Sequence, residues 1–312
     1  MESKKGEGPL HRPVLYQEVL DFLAPESPKR YLDCTAGAGG HAEGILNACG
    51  PAGQLLAIDL DPSAVALTAE RLAPFGERAI VRHASYLESA DILNEIGWKE
   101  VDGIVMDLGV SSMQLDQTDR GFSFRKNGPL DMRFDPRRGK SAAELVNSLD
   151  ESDLAELIWK YSEERYSRKI AHAILAARPL HSTAELAEVV RRAVGRTHEK
   201  QDPATRTFQA LRIAANDELS TIEQALPQLI GRLAPKGRIA VISFHSLEDR
   251  IVKQTFKRES ADCICPPEQL VCTCGHRRQI QLVTHRPLAP SEAEIAQNPR
   301  ARSARLRVAE KL

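Results

Sequence analysis

The chain has 312 residues, and its 42 Lys and Arg nearly balance its 43 Asp and Glu, leaving a formal charge of −1. No global charge marks a polyanion partner, a hydrophobic content of 42% suffices for a sizeable core, and no run of eighteen apolar residues offers a membrane span. The N-terminal stretch MESKKGEGPLHRPVL has charge but no apolar h-region, so no secretory signal is expected and a cytoplasmic location is the default.

In chain order, the first apolar run, Arg30–Asp33, ends in an acid and is followed by Gly37, Gly39 and Gly40. A helical pattern follows in HAEGILNAC and stops at Gly50-Pro51. Residues 54–58 form a β-like run leading into Asp59. Asp61 and Pro62 then open a helix as N-cap and first helical residue. Residues 78–86 and 101–109 are further strand candidates. Strands alternating with helices predict right-handed βαβ units and a parallel sheet.

The alternation stops at residues 113–140, a stretch rich in Asp, Arg, Gly and Pro. Helical signals fill 141–200, opened by the capping-box patterns Ser141-x-x-Glu144 and Ser182-x-x-Glu185. One amphipathic pattern runs through Leu154, Leu157, Ile158, Tyr161 and Ile170, and another long helix starts near Thr205 and passes Leu219. RIAVISF (238–244) is a late strand, followed by a helix with a Ser246-x-x-Asp249 cap and by strand-like runs at 279–284 and 304–310. The expected organisation is a discontinuous α/β domain, 1–112 with 205–312, interrupted by a loop and helical domain at 113–204.

The glycine loop matches a dinucleotide fingerprint by letter, as Gly37-x-Gly39-x-x-Ala42. Its chemistry points elsewhere. Asp33 at the strand end would repel a pyrophosphate and attract an amine, so the ligand expected is an adenosine cofactor with a cationic amino-acid end, S-adenosylmethionine. Asp59, at the end of the next strand, is placed to accept hydrogen bonds from both ribose hydroxyls. The usual acid-x-Gly-x-Gly-x-Gly register has Thr35 at its first glycine.

Basic-leaning islands lie at 133–140, 191–200, 275–279 and 298–307. Converging on one face they would form a phosphate-tracking groove, and dispersed they are solvated surface. Cys263, Cys265, Cys272 and Cys274 form C-x-C-(six residues)-C-x-C. In a reducing compartment this reads as a zinc clip or as four small unliganded residues.

Long segments carry a family resemblance: HRPVLYQEVLDFL (11–23), DCTAGAGGHAEGIL (33–46), AIDLDPSA (57–64), MDLGVSSMQLDQTDRGFSFRKNGPLDMR (106–133), PATRTFQALRIAANDEL (203–219), APKGRIAVISFHSLEDRIVK (234–253) and NPRARSARLRVAE (298–310). The chain resembles the bacterial RsmH (MraW) family of 16S rRNA cytosine-N4 methyltransferases over nearly its whole length. The resemblance implies a class I S-adenosylmethionine-dependent methyltransferase (Rossmann-like) α/β sheet with an inserted all-helical domain. It implies that the substrate is the N4 amine of one cytidine in the decoding region of 16S rRNA, with the small ribosomal subunit as partner and a homodimer left open. Carried onto this chain, its cofactor positions fall on Gly39, Gly40, His41, Asp59, Tyr86, Asp107 and Gln114.

Asp107, at the carboxyl end of the fourth strand, is the first candidate for contact with the target amine or the cofactor. His245 is a second edge candidate, either touching the base or holding its loop. A flipped base could stack on Phe122 or Phe124, with phosphate contacts from Arg125, Arg133, Arg137, Arg138, Arg300, Arg302 and Arg305. The alternatives are a methyltransferase of another nucleobase amine and a non-catalytic rRNA-binding assembly factor. DLGV stands where DNA amine methyltransferases carry [DN]-P-P-[YF], and the intact Asp33, Gly39, Gly40 and Asp59 argue for a cofactor.

Overall fold

A computed structural model describes residues 13–196, 201–269 and 271–312. The N-terminal stretch up to residue 12 and part of the 191–200 basic island therefore lie outside the described residues. The backbone divides into two compact units, one running to Leu108 and resuming at Ile222, the other spanning Gly109–Thr221.

The first unit is built on seven strands: β1 (Arg30–Asp33), β2 (Gln54–Asp59), β3 (Ala79–His83), β4 (Val101–Asp107), β5 (Leu233–Ser243), β6 (Ile280–Leu282) and β7 (Arg305–Lys311). Their order in the sheet is β3-β2-β1-β4-β5-β7-β6. The first five are parallel, and β7 runs antiparallel between β5 and β6. Tyr31–Asp33 and Gly103–Met106 are buried without alternation, as expected of strands covered on both faces. Helices α1 (Tyr16–Leu23), α2 (Gly40–Ala48) and α3 (Pro62–Leu72) belong to this unit. Val19, Leu23, Ile45, Leu46 and Leu72 join Leu55, Val105, Ile242, Leu306 and Val308 in one core cluster.

The strand order places the site. Chain progress from β1 runs outward through β2 and β3, whereas β4 starts on the other side of β1. The crevice between the carboxyl ends of β1 and β4 is thus a topological switch point, where open α/β sheets bind ligands. Asp33, Asp59 and Asp107 are the last residues of β1, β2 and β4.

The second unit has its own core of Leu130, Met132, Val146, Leu154, Ile158, Ile170, Ile174, Leu186, Val190 and Leu211. Its helices are α5 (Ser112–Asp116), α6 (Ala142–Ser148), α7 (Glu151–Ser162), α8 (Ser167–Ala177), α9 (Thr183–Val194) and α10 (Ala204–Asn216). Both capping boxes read from the sequence form, with the amides of Glu144 and Glu185 donating to the hydroxyls of Ser141 and Ser182 at 3.2 and 3.3 Å. Asp61 caps α3 by accepting from the Ser63 amide at 2.9 Å.

Two long helices expected from periodicity are each broken. Glu163 takes a left-handed φ of 53° and separates α7 from α8. Asp217 (φ 48°) separates α10 from α11 (Glu218–Gly231), which crosses the boundary between the units. The cap of α12 (Ser246–Glu259) also differs from the Ser246/Asp249 expectation. His245 is the N-cap, its Nδ1 accepting from the Glu248 amide at 3.4 Å, while Glu248 accepts from the amides of Phe244 and His245 at 2.8 and 3.2 Å. Among the described residues no helix is long and apolar enough to cross a membrane.

Candidate functional site: a cofactor crevice at the switch point

The glycine loop joins β1 to α2. Gly37 and Gly39 have φ of 55° and 75°, a region that side chains with a Cβ avoid. Gly40 serves packing instead: a Cβ there would overlap the Pro13 ring. The loop is held from α3, where the Thr68 hydroxyl donates to the Gly37 carbonyl at 3.1 Å. Arg71 donates to the Ala38 carbonyl at 3.1 Å and pairs with Glu43 at 2.6 Å.

Thr35, which replaces the usual first glycine, has a definite task. Its hydroxyl accepts from the Asp107 amide at 2.6 Å, and its own amide donates to Asp33 Oδ1 at 3.1 Å. The side chain therefore ties the end of β1 to the end of β4. Thr35→Val is expected to cost about 1–2 kcal/mol of stability in urea unfolding, from the orphaned amide, and to lower methyl transfer. Thr35→Ser should restore both; a valine variant with wild-type turnover would remove Thr35 from the positioning of Asp107.

Three carboxyls crowd this crevice. Asp33 is 1% exposed and its Oδ2 has no hydrogen-bond partner. Burial, with the charge of Asp59 beside it, pushes its carboxyl up to about 7 against the pull of the Thr35 amide. Asp59 accepts from the amides of Gly37 and Asp61 at 2.8 Å each, yet burial still raises it to about 6. Asp107 is raised to about 8 by burial and by the charges of Asp33 and Glu248, and its Oδ1 is buried and unpaired.

His41, in the first turn of α2, lies against Tyr16 with ring centroids 6.2 Å apart. Its Nε2 is 3.8 Å from Asp107 Oδ2. Burial lowers its pKa to about 4, so at neutral pH it is an uncharged ring, and neither ring nitrogen has a hydrogen-bond partner. A crevice lined with acids and unpaired acceptors, with no cationic side chain paired to them among the described residues, suits a ligand that brings its own positive charge. The ammonium and sulfonium of S-adenosylmethionine meet that requirement, and Asp33 Oδ2, Asp107 Oδ1 and the His41 ring nitrogens are the groups such a ligand would satisfy.

The other expected cofactor residues are placed as follows. Tyr86 is partly buried in a short 3-10 turn just after β3, whose chain leaves past Asp59 with the Ala84 amide donating to the Asp59 carbonyl at 3.0 Å. Gln114 belongs to the second unit and is 6% exposed. Its Oε1 accepts from the Ser111 amide at 2.9 Å, closing the capping box of α5. His245 is absorbed into the α12 cap, with Nε2 3.1 Å from Glu248 Oε1.

The expected RNA-contacting residues divide. Arg125, Arg300 and Arg302 are exposed. Arg133 is paired with Asp131, with contacts of 2.9 and 2.7 Å from Nε and Nη2. Arg137 and Arg138 both hold the buried Asp135, Arg191 holds Asp202 and Arg307 holds Asp249. Within the described residues of these islands, Arg133, Arg137, Arg138, Arg191 and Arg307 are thus each paired with a nearby acid. Phe122 is buried at 7% and stacks on Phe134, while Phe124 meets Phe208 edge-on at 4.8 Å. Phe122 belongs to the core of the second unit, and the half-buried Phe124 packs against it.

Several residues that shape the crevice were not legible beforehand: Arg71, Thr68, Tyr16 and Glu248. Each acts across a long sequence separation or as a cap, and no local pattern marks it.

A sheet ordered this way, with its last strand antiparallel and with acids at the ends of β1, β2 and β4, defines a class I S-adenosylmethionine-dependent methyltransferase. The chain belongs to the MraW methylase family, whose pattern it matches over residues 9–312. It is 51% identical over 302 residues to a Dehalococcoides mccartyi protein named ribosomal RNA small subunit methyltransferase H, covering 97% of this chain and 86% of the other. Proteins of the same name from Thermomicrobium roseum and Maridesulfovibrio salexigens are 50% and 48% identical, over 97% and 100% of this chain and 94% and 98% of theirs.

Proposed function

We propose that the protein methylates the N4 amine of a cytidine in the decoding region of small-subunit (16S) ribosomal RNA, with S-adenosylmethionine as methyl donor. The observation that carries the methyltransferase chemistry is the trio of carboxyls at the switch point, Asp33 buried and Asp59 and Asp107 half-buried, two of them with an unpaired oxygen. The ribosomal RNA substrate rests on the names of relatives at about half identity over nearly the whole chain. The N4 position rests on the family resemblance of the motifs around Asp33 and Asp107.

When bound, S-adenosylmethionine supplies an electrophilic methyl on a sulfonium. Asp33 would hold the ammonium through its unpaired Oδ2. Asp59 spends one lone pair of each oxygen on the amides of Gly37 and Asp61, and keeps the others for the ribose hydroxyls. Gly39, Gly40 and His41 would line the side of the loop facing the cofactor, with Tyr86 beside the adenine.

Asp107 would face the reacting amine. The lone pair of a cytosine amine is delocalised into the ring, so an acceptor for its N–H raises its electron density and takes up the proton. A carboxyl raised to about 8 is matched to that task, because its affinity for a proton is far above that of an exposed aspartate. Asp107 at the end of β4, tied to β1 through Thr35, needs little rearrangement to hold its place. Exposed Arg125, Arg300 and Arg302 are the proposed phosphate contacts.

Mass mapping of small-subunit RNA from cells lacking and regaining this protein tests the reading. One added methyl on the N4 of a decoding-region cytidine is expected on restoration. An unchanged pattern refutes the assignment, and a methyl on another base moves the target. A protein that binds S-adenosylmethionine but transfers nothing would be an assembly factor.

A further inference from the structure

Between α12 and β6 the chain makes a loop that the cofactor crevice does not use. None of its described residues from 262 to 275 is buried, and Ile264 and Val271 are 44% and 72% exposed. The hydrophobic effect therefore contributes nothing to ordering it. Among its described residues it is fastened only at its base, where the Gln279 amide donates to the Glu259 carbonyl at 2.8 Å, His276 Nε2 lies 2.9 Å from the Arg258 carbonyl, and Arg278 approaches Asp262 at 3.5 Å.

Above that base, Cys263, Cys265, Cys272 and Cys274 bring their sulfurs within 4.8 Å of one another. Cys263 lies 3.4 Å from Cys272 and 3.7 Å from Cys274, and Cys272 lies 3.5 Å from Cys274. A disulfide bond is about 2 Å long, so these sulfurs are not paired. Four thiolates around one zinc at about 2.3 Å stand about 3.8 Å apart along each tetrahedral edge. A multi-iron cluster divides its thiolates over two or four irons and spreads the sulfurs farther apart.

The C-x-C spacing fits because alternate residues of an extended chain project to the same side. Backbone amides also point at the sulfurs, as around a thiolate: the Cys265 amide at Cys263 (3.4 Å), those of Thr273 and Cys274 at Cys265, and those of Ile264 and His276 at Cys274. Such donors orient and stabilise metal-bound sulfur.

We propose that Cys263, Cys265, Cys272 and Cys274 form a closed, tetrahedral four-cysteine site for one zinc ion, whose binding orders the loop between α12 and β6. Four thiolate ligands leave no open coordination position, so the role is structural. Ordering of an otherwise coreless loop is then part of the metal's binding free energy.

Elemental analysis of full-length protein, purified under reducing conditions from zinc-replete cells and dialysed, should find about one zinc per chain. Zinc below about a tenth of an equivalent, or iron in its place, overturns the proposal. The Cys272→Ser/Cys274→Ser double variant should lose the zinc yet bind S-adenosylmethionine as the wild type does; zinc retained in that variant places the metal elsewhere and overturns the assignment. Chelator-stripped wild-type protein titrated with cobalt(II) should saturate at about one equivalent with the spectrum of tetrahedral thiolate ligation. Failure to take up cobalt in that form counts equally against the site, whatever the fate of the variant.

Discussion

Asp107→Asn is expected to lower turnover by about 10²- to 10⁴-fold, the usual range for loss of a positioned proton acceptor, with the fold intact. Asparagine keeps the volume and leaves the Asp107 amide bonded to Thr35, because that contact is made by the backbone. What it removes is a carboxyl raised to about 8 by burial and by the charges of Asp33 and Glu248. Two readouts separate the roles open to this residue. If Asp107 takes the proton of the target amine, kcat falls while S-adenosylmethionine affinity changes little. If it serves the cofactor, affinity falls with it. Wild-type turnover in the variant would exclude both.

Asp33→Asn should have the second largest effect, in opposite directions on binding and on stability. Binding should weaken about 10- to 100-fold, the loss of one charge-assisted hydrogen bond to the ammonium. Stability should rise at pH 8. The folded carboxyl is raised to about 7, whereas the unfolded value is about 3.9. The folded state therefore binds the proton more tightly, and stability is lost as pH climbs through the window between them. Asparagine has no proton to lose, so it should gain on the order of 4 kcal/mol at pH 8, with the gain fading as pH falls toward about 4. Calorimetry and urea unfolding at pH 8 and pH 5 check the two halves. Undiminished affinity would remove Asp33 from the ammonium site, and a less stable variant at pH 8 would contradict the buried-charge argument. The wild type should also release protons on binding a cation, so its affinity for the cofactor should decline below pH 7.

Much of this architecture could be read from local patterns. Three of the five parallel strands were visible because their apolar runs end in an acid, at Asp33, Asp59 and Asp107, and three caps, at Asp61, Ser141 and Ser182, form where the residue types call for them. The acids of the crevice were visible for the same reason, since a strand end in an open sheet is a known place for a ligand. The helix breaks at Glu163 and Asp217 were not, because a left-handed residue that is neither Gly nor Asn carries no compositional sign. His245 was hidden as a cap because Ser246 beside it is the commoner capping type. Thr35 stood out only as a departure from a glycine pattern. Its purpose lies 72 residues away at Asp107, and tertiary contacts of that range leave no periodic trace.

The pairing of the arginines has a consequence for how this protein would meet RNA. A guanidinium already locked on a carboxylate, as in Arg133 on Asp131 or Arg191 on Asp202, presents little net charge at a distance. Few phosphates are then neutralised on encounter, few counterions are released, and the logarithmic dependence of affinity on salt is shallow. A methyltransferase of this kind is spared capture by the large excess of unrelated RNA in a cell. It would find its site through the shape of a folded target, and its residence on any other strand would be brief.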